Sequence, residues 1–228
     1  MAVKRPGRRV VVVVCALMLG AVCLDIGRAE LHGASPSPSQ LVLNLRFTST
    51  QPLPVATFDA MVAETEAIWR PAHLQVRWAD AEAQDAALLR VIVMARLVPP
   101  EGQGVPWAVG ELVTHDDAPP LAIASVTGAR RILDLTSRFR LLDSPAARDR
   151  GLGVVLGRAI AHEIGHFLLR TTTHASTGLM RSFIDAREFA NPATNGFKLD
   201  KAAVAYMAAL AAAGTLSPEH PSLTGFSY

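Results

Sequence analysis

Cysteine is almost missing from this chain. Its two copies in 228 residues, Cys15 and Cys23, both lie in an N-terminal apolar stretch, so the remainder can form no disulfide and offers no thiolate to a metal. Any metal site further along must be built from His, Asp or Glu. Charge is scarce too, at 18% of residues against 50% apolar, which excludes a disordered chain and predicts a packed core. No basic run occurs beyond the first ten residues, so nucleic acid is not an expected partner. Internal repeats are absent, which excludes a solenoid. At this length one domain of ordinary size is the expectation.

Nor does any apolar run reach the roughly 20 residues of a membrane-spanning helix. The longest, residues 10–24, has fifteen; Lys4, Arg5, Arg8 and Arg9 precede it and Asp25 ends it. That order is the pattern of a secretory signal. Gly27 and Ala29 supply small residues for cleavage after Ala29, so residues 1–29 are expected to be a signal peptide and the domain to be secreted or periplasmic, with no stable membrane span after signal removal. An uncleaved anchor is the alternative. Without residues 1–29, which hold five of the 22 basic and one of the 20 acidic residues, 17 basic residues face 19 acidic ones.

Residues 30–40, rich in Ser and Pro, read as a linker, and the domain is expected over 41–215, with a tail over 216–228. "LVLNLRFT" at 41–48 alternates apolar and polar residues as a half-buried strand does. Phe58, Val62, Thr65, Ile68 and Trp69 recur at helical spacing, predicting an amphipathic helix over 55–69. Strands are expected at 74–78, within 88–98, at 121–126 and at 131–135, the last two joined by a turn at Thr127, Gly128 and Ala129. Residues 99–120, broken by Pro, Gly and the pair Asp116 and Asp117, read as a surface excursion in which His115 serves an ordinary polar loop rather than an accessory cation. A long apolar helix is expected over 150–170, with Gly153, Gly157 and Gly165 leaving room for a close neighbour. Asp200 is placed to cap a C-terminal helix through "KAAVAYMAALAAA". Together these elements predict an α+β fold: a twisted mixed sheet of four to five strands on two helices, followed by a C-terminal helix.

The chemistry concentrates in "AHEIGHFLLRTTTHASTGLM", residues 161–180, which holds three of the seven histidines. His162 and His166 are four apart on a helix, about 40° apart around its axis, so both imidazoles can reach one point. Glu163, about 100° away, can touch a water at that point without being a ligand. This H-E-x-x-H arrangement suits zinc held by neutral imidazoles with the glutamate as general base. Apolar neighbours Ile160, Ile164, Phe167 and Leu168 make a buried carboxylate beside two imidazoles costly without a cation. A catalytic zinc takes three protein ligands and leaves a fourth position open. His174, beyond the β-branched Thr171, Thr172 and Thr173, is the first candidate; Glu188 or Asp185, about twenty residues beyond the motif, would be the ligand in an alternative scheme.

Residues 162–180 resemble the signature of the metzincin clan of zinc endopeptidases, H-E-x-x-H-x-x-G-x-x-H followed by a methionine-bearing turn. The chain departs from it at Leu169, in the glycine position, and at Thr172, where the third histidine usually stands, with His174 two residues later. The resemblance implies a zincin-like architecture, His162, His166 and His174 as ligands of one catalytic Zn2+, Glu163 as base and Met180 as the Met-turn residue. It implies a protein or peptide substrate lying extended along a strand, for which "LAIASV" is the candidate. The expected function is that of an exported zinc-dependent endopeptidase; the alternative is a non-catalytic exported zinc-binding or interaction module.

Overall fold

The computed structural model describes residues 40–80, 89–97, 109–115, 118–137, 144–182 and 184–213. The signal, nearly all of the linker, the tail, and Asp116 with Asp117 lie outside the described residues.

β1 (Leu41–Ser49) buries Leu41, Leu43 and Leu45 and turns the intervening residues outward, as its alternation predicts. α1 (Val55–Trp69) buries Thr57, Met61, Thr65, Ile68 and Trp69, a stripe at spacings of three and four. A 3₁₀ turn (Arg70–Ala72) and the left-handed His73 lead into β2 (Leu74–Asp80), and β3 (Leu89–Met94) follows. β4 (Gly110–His115) and β5 (Ala118–Ser125) form a hairpin, after which come α2 (Val126–Ser137), α3 (Pro145–Leu169), α4 (Ala186–Ala190) and α5 (Lys201–Ala213). The strands assemble in the order β2-β1-β3-β5-β4. The first four run parallel, and β4 pairs antiparallel with β5 at the edge. The α+β class with a mixed sheet is therefore the observed one.

Three expectations are corrected. Residues 131–135 are not a strand but part of α2, and Thr127, Gly128 and Ala129 are its first turn rather than a hairpin turn. Ser125 caps this helix by accepting from the Gly128 N–H at 3.0 Å, and Val126, Ala129, Leu133 and Thr136 are buried at helical spacing. A short apolar run fits either period, and the cap decides. Second, residues 110–115 and 118–120 are strand, not a surface excursion. An edge strand is paired on one side only, so it tolerates the polar content that made this segment look like loop. Third, the first five residues of "LAIASV" belong to β5 and its valine opens α2; β5 is paired on both sides, by β3 and β4, and has no free edge to offer a peptide.

α3 runs through the centre of the molecule, with all but a few residues from Gly151 to Leu168 buried. It crosses α1 at close range: a methyl on Gly157 would lie 2.6 Å from the Met61 carbonyl. Thr65 Oγ1 donates to the Gly157 carbonyl at 3.1 Å and Trp69 Nε1 to the Ala161 carbonyl at 3.2 Å. These bonds satisfy buried side-chain donors and fix how far along α1 the following turn of α3 lies. Arg158, 1% exposed, points the same way. Its Nε meets Glu64 of α1 at 2.6 Å, its Nη1 donates to the carbonyls of Glu188 and Phe189, and its guanidinium lies 4.3 Å above the Phe197 ring. The next turn carries the histidines.

Candidate metal centre

α3 ends at Leu169, where Arg170 takes a left-handed conformation and its N–H closes on the His166 carbonyl. His162, Glu163 and His166 thus occupy the last two turns, and the chain doubles back through residues 171–181. That segment closes on itself: the Ala175 N–H donates to the Met180 carbonyl at 2.7 Å, and Ala175 forms a bridge with Arg181. Gly178 supplies the required left-handed turn, at φ 76°.

The fold brings His162, His166 and His174 together. One ligand atom from each lies within 4.8 Å of the other two, and the ring centroids are 4.6, 4.9 and 5.3 Å apart. Their tautomers follow from their partners. His162 Nδ1 faces the Leu179 carbonyl at 2.7 Å and His166 Nδ1 faces the Thr171 carbonyl at 2.6 Å. A carbonyl only accepts, so each Nδ1 carries the hydrogen and each Nε2 of the neutral ring is a bare lone pair. These two Nε2 atoms stand 3.0 Å apart. Burial pushes His162 down to about 4, against the raising effect of the Leu179 carbonyl, and burial likewise pushes His166 down. Two unprotonated nitrogens facing each other repel unless a cation lies between them. The donor set fits zinc, which takes neutral imidazole nitrogens at about 2.0–2.1 Å, and whose histidine ligands commonly donate their other N–H to a carbonyl.

Glu163 points toward the sheet. It is 6% exposed, and a methyl on Gly110, the first residue of β4, would lie 2.7 Å from its Oε1. Burial, and secondarily the nearby Glu111 carboxylate, push its carboxyl up to about 8. Met180, buried, packs its Sδ against Gly165 on the far side of the histidine turn.

The alternative third ligands are engaged elsewhere. Both Glu188 carboxylate oxygens accept from Arg181, at 2.6 and 3.1 Å, and Asp185 caps α4 by accepting from the Arg187 N–H. His115 is exposed at the end of β4 and His73 lies in the turn before β2, neither of them in the cluster. Sequence reasoning missed Gly110, the Thr171 and Leu179 carbonyls, and Arg181. Backbone carbonyls leave no mark in a sequence, and neither a glycine at the start of an edge strand nor an arginine seven residues before a glutamate across a largely non-helical stretch carries a local signal.

No protein-family profile and no curated protein sequence matches the chain. Among solved structures it is similar to archaemetzincin from Methanopyrus kandleri, with a TM-score of 0.47, 13% identity, and coverage of 76% of this chain and 96% of that one.

Proposed function

We propose that this protein is a zinc-dependent endopeptidase that cleaves extended polypeptide, with Glu163 as its general base. The observation that carries the reading is the pair of bare Nε2 atoms 3.0 Å apart, each ring fixed through its Nδ1, with His174 beside them and a buried carboxyl one residue along the helix. In this reading His162, His166 and His174 hold one zinc ion, and Met180 supports the turn from below. When bound, the ion supplies a Lewis acid that polarises a substrate carbonyl and lowers the pKa of a water toward about 7. With the ion bound, Glu163 would accept a proton from the water as its oxygen adds to the carbonyl carbon, and would return it to the amine nitrogen as the C–N bond breaks. Burial raises this carboxyl in the metal-free chain; a zinc ion beside it would lower it again toward the ionised form that a base needs. Among the described residues β4 is paired only with β5, so its other edge is the candidate to receive an extended peptide by backbone hydrogen bonds, and Gly110 lies against Glu163. The basic residues and apolar run of 1–24 support export to the periplasm or the exterior.

The test is metal content together with cleavage of an unfolded protein, with and without a chelator. One zinc per chain and chelator-sensitive cleavage are expected. Glu163→Gln should keep its zinc and lose about 10²–10⁴-fold in kcat. A folded protein that takes up no zinc from excess would remove the assignment; full zinc without cleavage would leave the non-catalytic binding module.

A further inference from the structure

The segment 171–181 touches the centre at three points. Its Thr171 carbonyl orients His166, its Leu179 carbonyl orients His162, and it carries His174. One stretch of backbone therefore aims both helix-borne imidazoles and supplies the third. What holds that stretch down decides whether the three nitrogens meet. Inside the loop there is the Ala175 to Met180 bond. Outside it, the Leu179 N–H donates to the Lys198 carbonyl at 3.0 Å, and the side chain next to Met180 does the rest. Arg181 Nε donates to the Gly178 carbonyl at 3.1 Å, and its two terminal nitrogens grip the Glu188 carboxylate as a fork, at 3.1 and 2.6 Å. Nη2 also reaches the Gly196 carbonyl at 3.3 Å. A single guanidinium thus ties the loop to α4 and to the segment before α5. Both side chains of the pair are mostly shielded, at 19% and 28% exposed, where a bidentate pair holds geometry better than a solvated one.

We infer that Arg181 and Glu188 are positioning residues, a latch that seats the 171–181 loop and so sets the affinity of the three-histidine centre for its metal. The inference rests on the reading of that centre as a zinc site. Glu188 then acts on the ion without binding it: its carboxylate fixes the arginine, the arginine fixes the turn, and the turn presents Leu179 O and His174.

The experiment measures zinc dissociation constants on the full chain by competition with a chromophoric chelator, and visible spectra after loading with Co2+, with folding followed by circular dichroism. The variants are Glu188→Gln, His174→Ala, the two combined, and Arg181→Lys, which keeps the charge pair but not the fork. Glu188→Gln should weaken zinc binding about tenfold or more while remaining folded, in the range seen for outer partners of metal ligands. Arg181→Lys should lose less. Because the latch works in part through His174, His174→Ala should cost several-fold less affinity in the Glu188→Gln background than in the unaltered chain, and the Co2+ spectrum of Glu188→Gln should shift toward that of His174→Ala. If Glu188→Gln does not fold, the same comparison with His174→Ala is made on Arg181→Lys. Zinc affinity equal to that of the unaltered chain, or effects that simply multiply, would overturn the latch while leaving the metal site standing. Absence of zinc binding by the unaltered chain would overturn both.

Discussion

His162, Glu163 and His166 share two turns of helix, yet burial acts on them in opposite directions. It pushes the imidazole of His162 down to about 4 and the carboxyl of Glu163 up to about 8. For the metal-free protein the consequences for stability have opposite signs. His162 binds its proton more tightly when unfolded, so its contribution rises with pH between about 4 and its ordinary 6.5 and is level above that. Glu163 binds its proton more tightly when folded, so stability is lost as pH climbs from its ordinary 4.5 to about 8. Between 6.5 and 8 only the loss remains of these two. The chelated protein should therefore melt at a lower temperature at pH 8 than at pH 6.5, and Glu163→Gln should flatten that slope; calorimetry across this range checks both. The second residue-scale expectation concerns Gly110. A methyl there, 2.7 Å from Glu163 Oε1, forces the carboxylate to move. Gly110→Ala should keep its zinc and lose about tenfold or more in kcat, since small misplacements of a catalytic group are costly. Unchanged turnover in that variant would mean that the carboxylate's place against β4 does not matter.

Between elements, the histidine turn of α3 is positioned by what comes just before it. Arg158 ties α3 to α1 through Glu64 and to α4 through two carbonyls. Replacing it with alanine leaves those carbonyls and a largely shielded carboxylate without their donor, a loss of about 3–5 kcal/mol for breaking a buried pair, to be read from urea unfolding. The α1–α3 pairing was foreshadowed by the helical stripe of α1 and by glycines on α3, because both are local patterns. β4 was not. Its proposed role depends on having one neighbour rather than two among the described residues, a property of sheet order to which residues 110–115 bear no local witness. α2 was misread for a related reason: six residues of mixed character fit two periods until Ser125 is seen to cap the helix.

At the scale of the molecule, α3 is the one described helix long and apolar enough to cross a membrane, and most of its apolar window is buried within the protein's own core. That core is built around the helix bearing the metal motif, so ion binding and folding should be coupled. Zinc at a hundred times its dissociation constant should stabilise the fold by about 2.7 kcal/mol if only the folded state binds it. Thermal unfolding with added zinc and with chelator measures this directly. Equal melting temperatures would mean that the ion does not bind the native centre.

The sequence by itself determined the helix, the i and i+4 imidazoles on one side of it, the glutamate between them, and the α+β class, since each of these is written in short-range periodicity. It left Glu188 and Asp185 open beside His174, because a ligand beyond a helix end is chosen by how the chain returns. Only the tertiary structure decided that return. The loop falls back onto α3 because Leu179 and Met180 bury there and Arg181 is held by Glu188, and contacts among residues distant along the chain have no period to announce them.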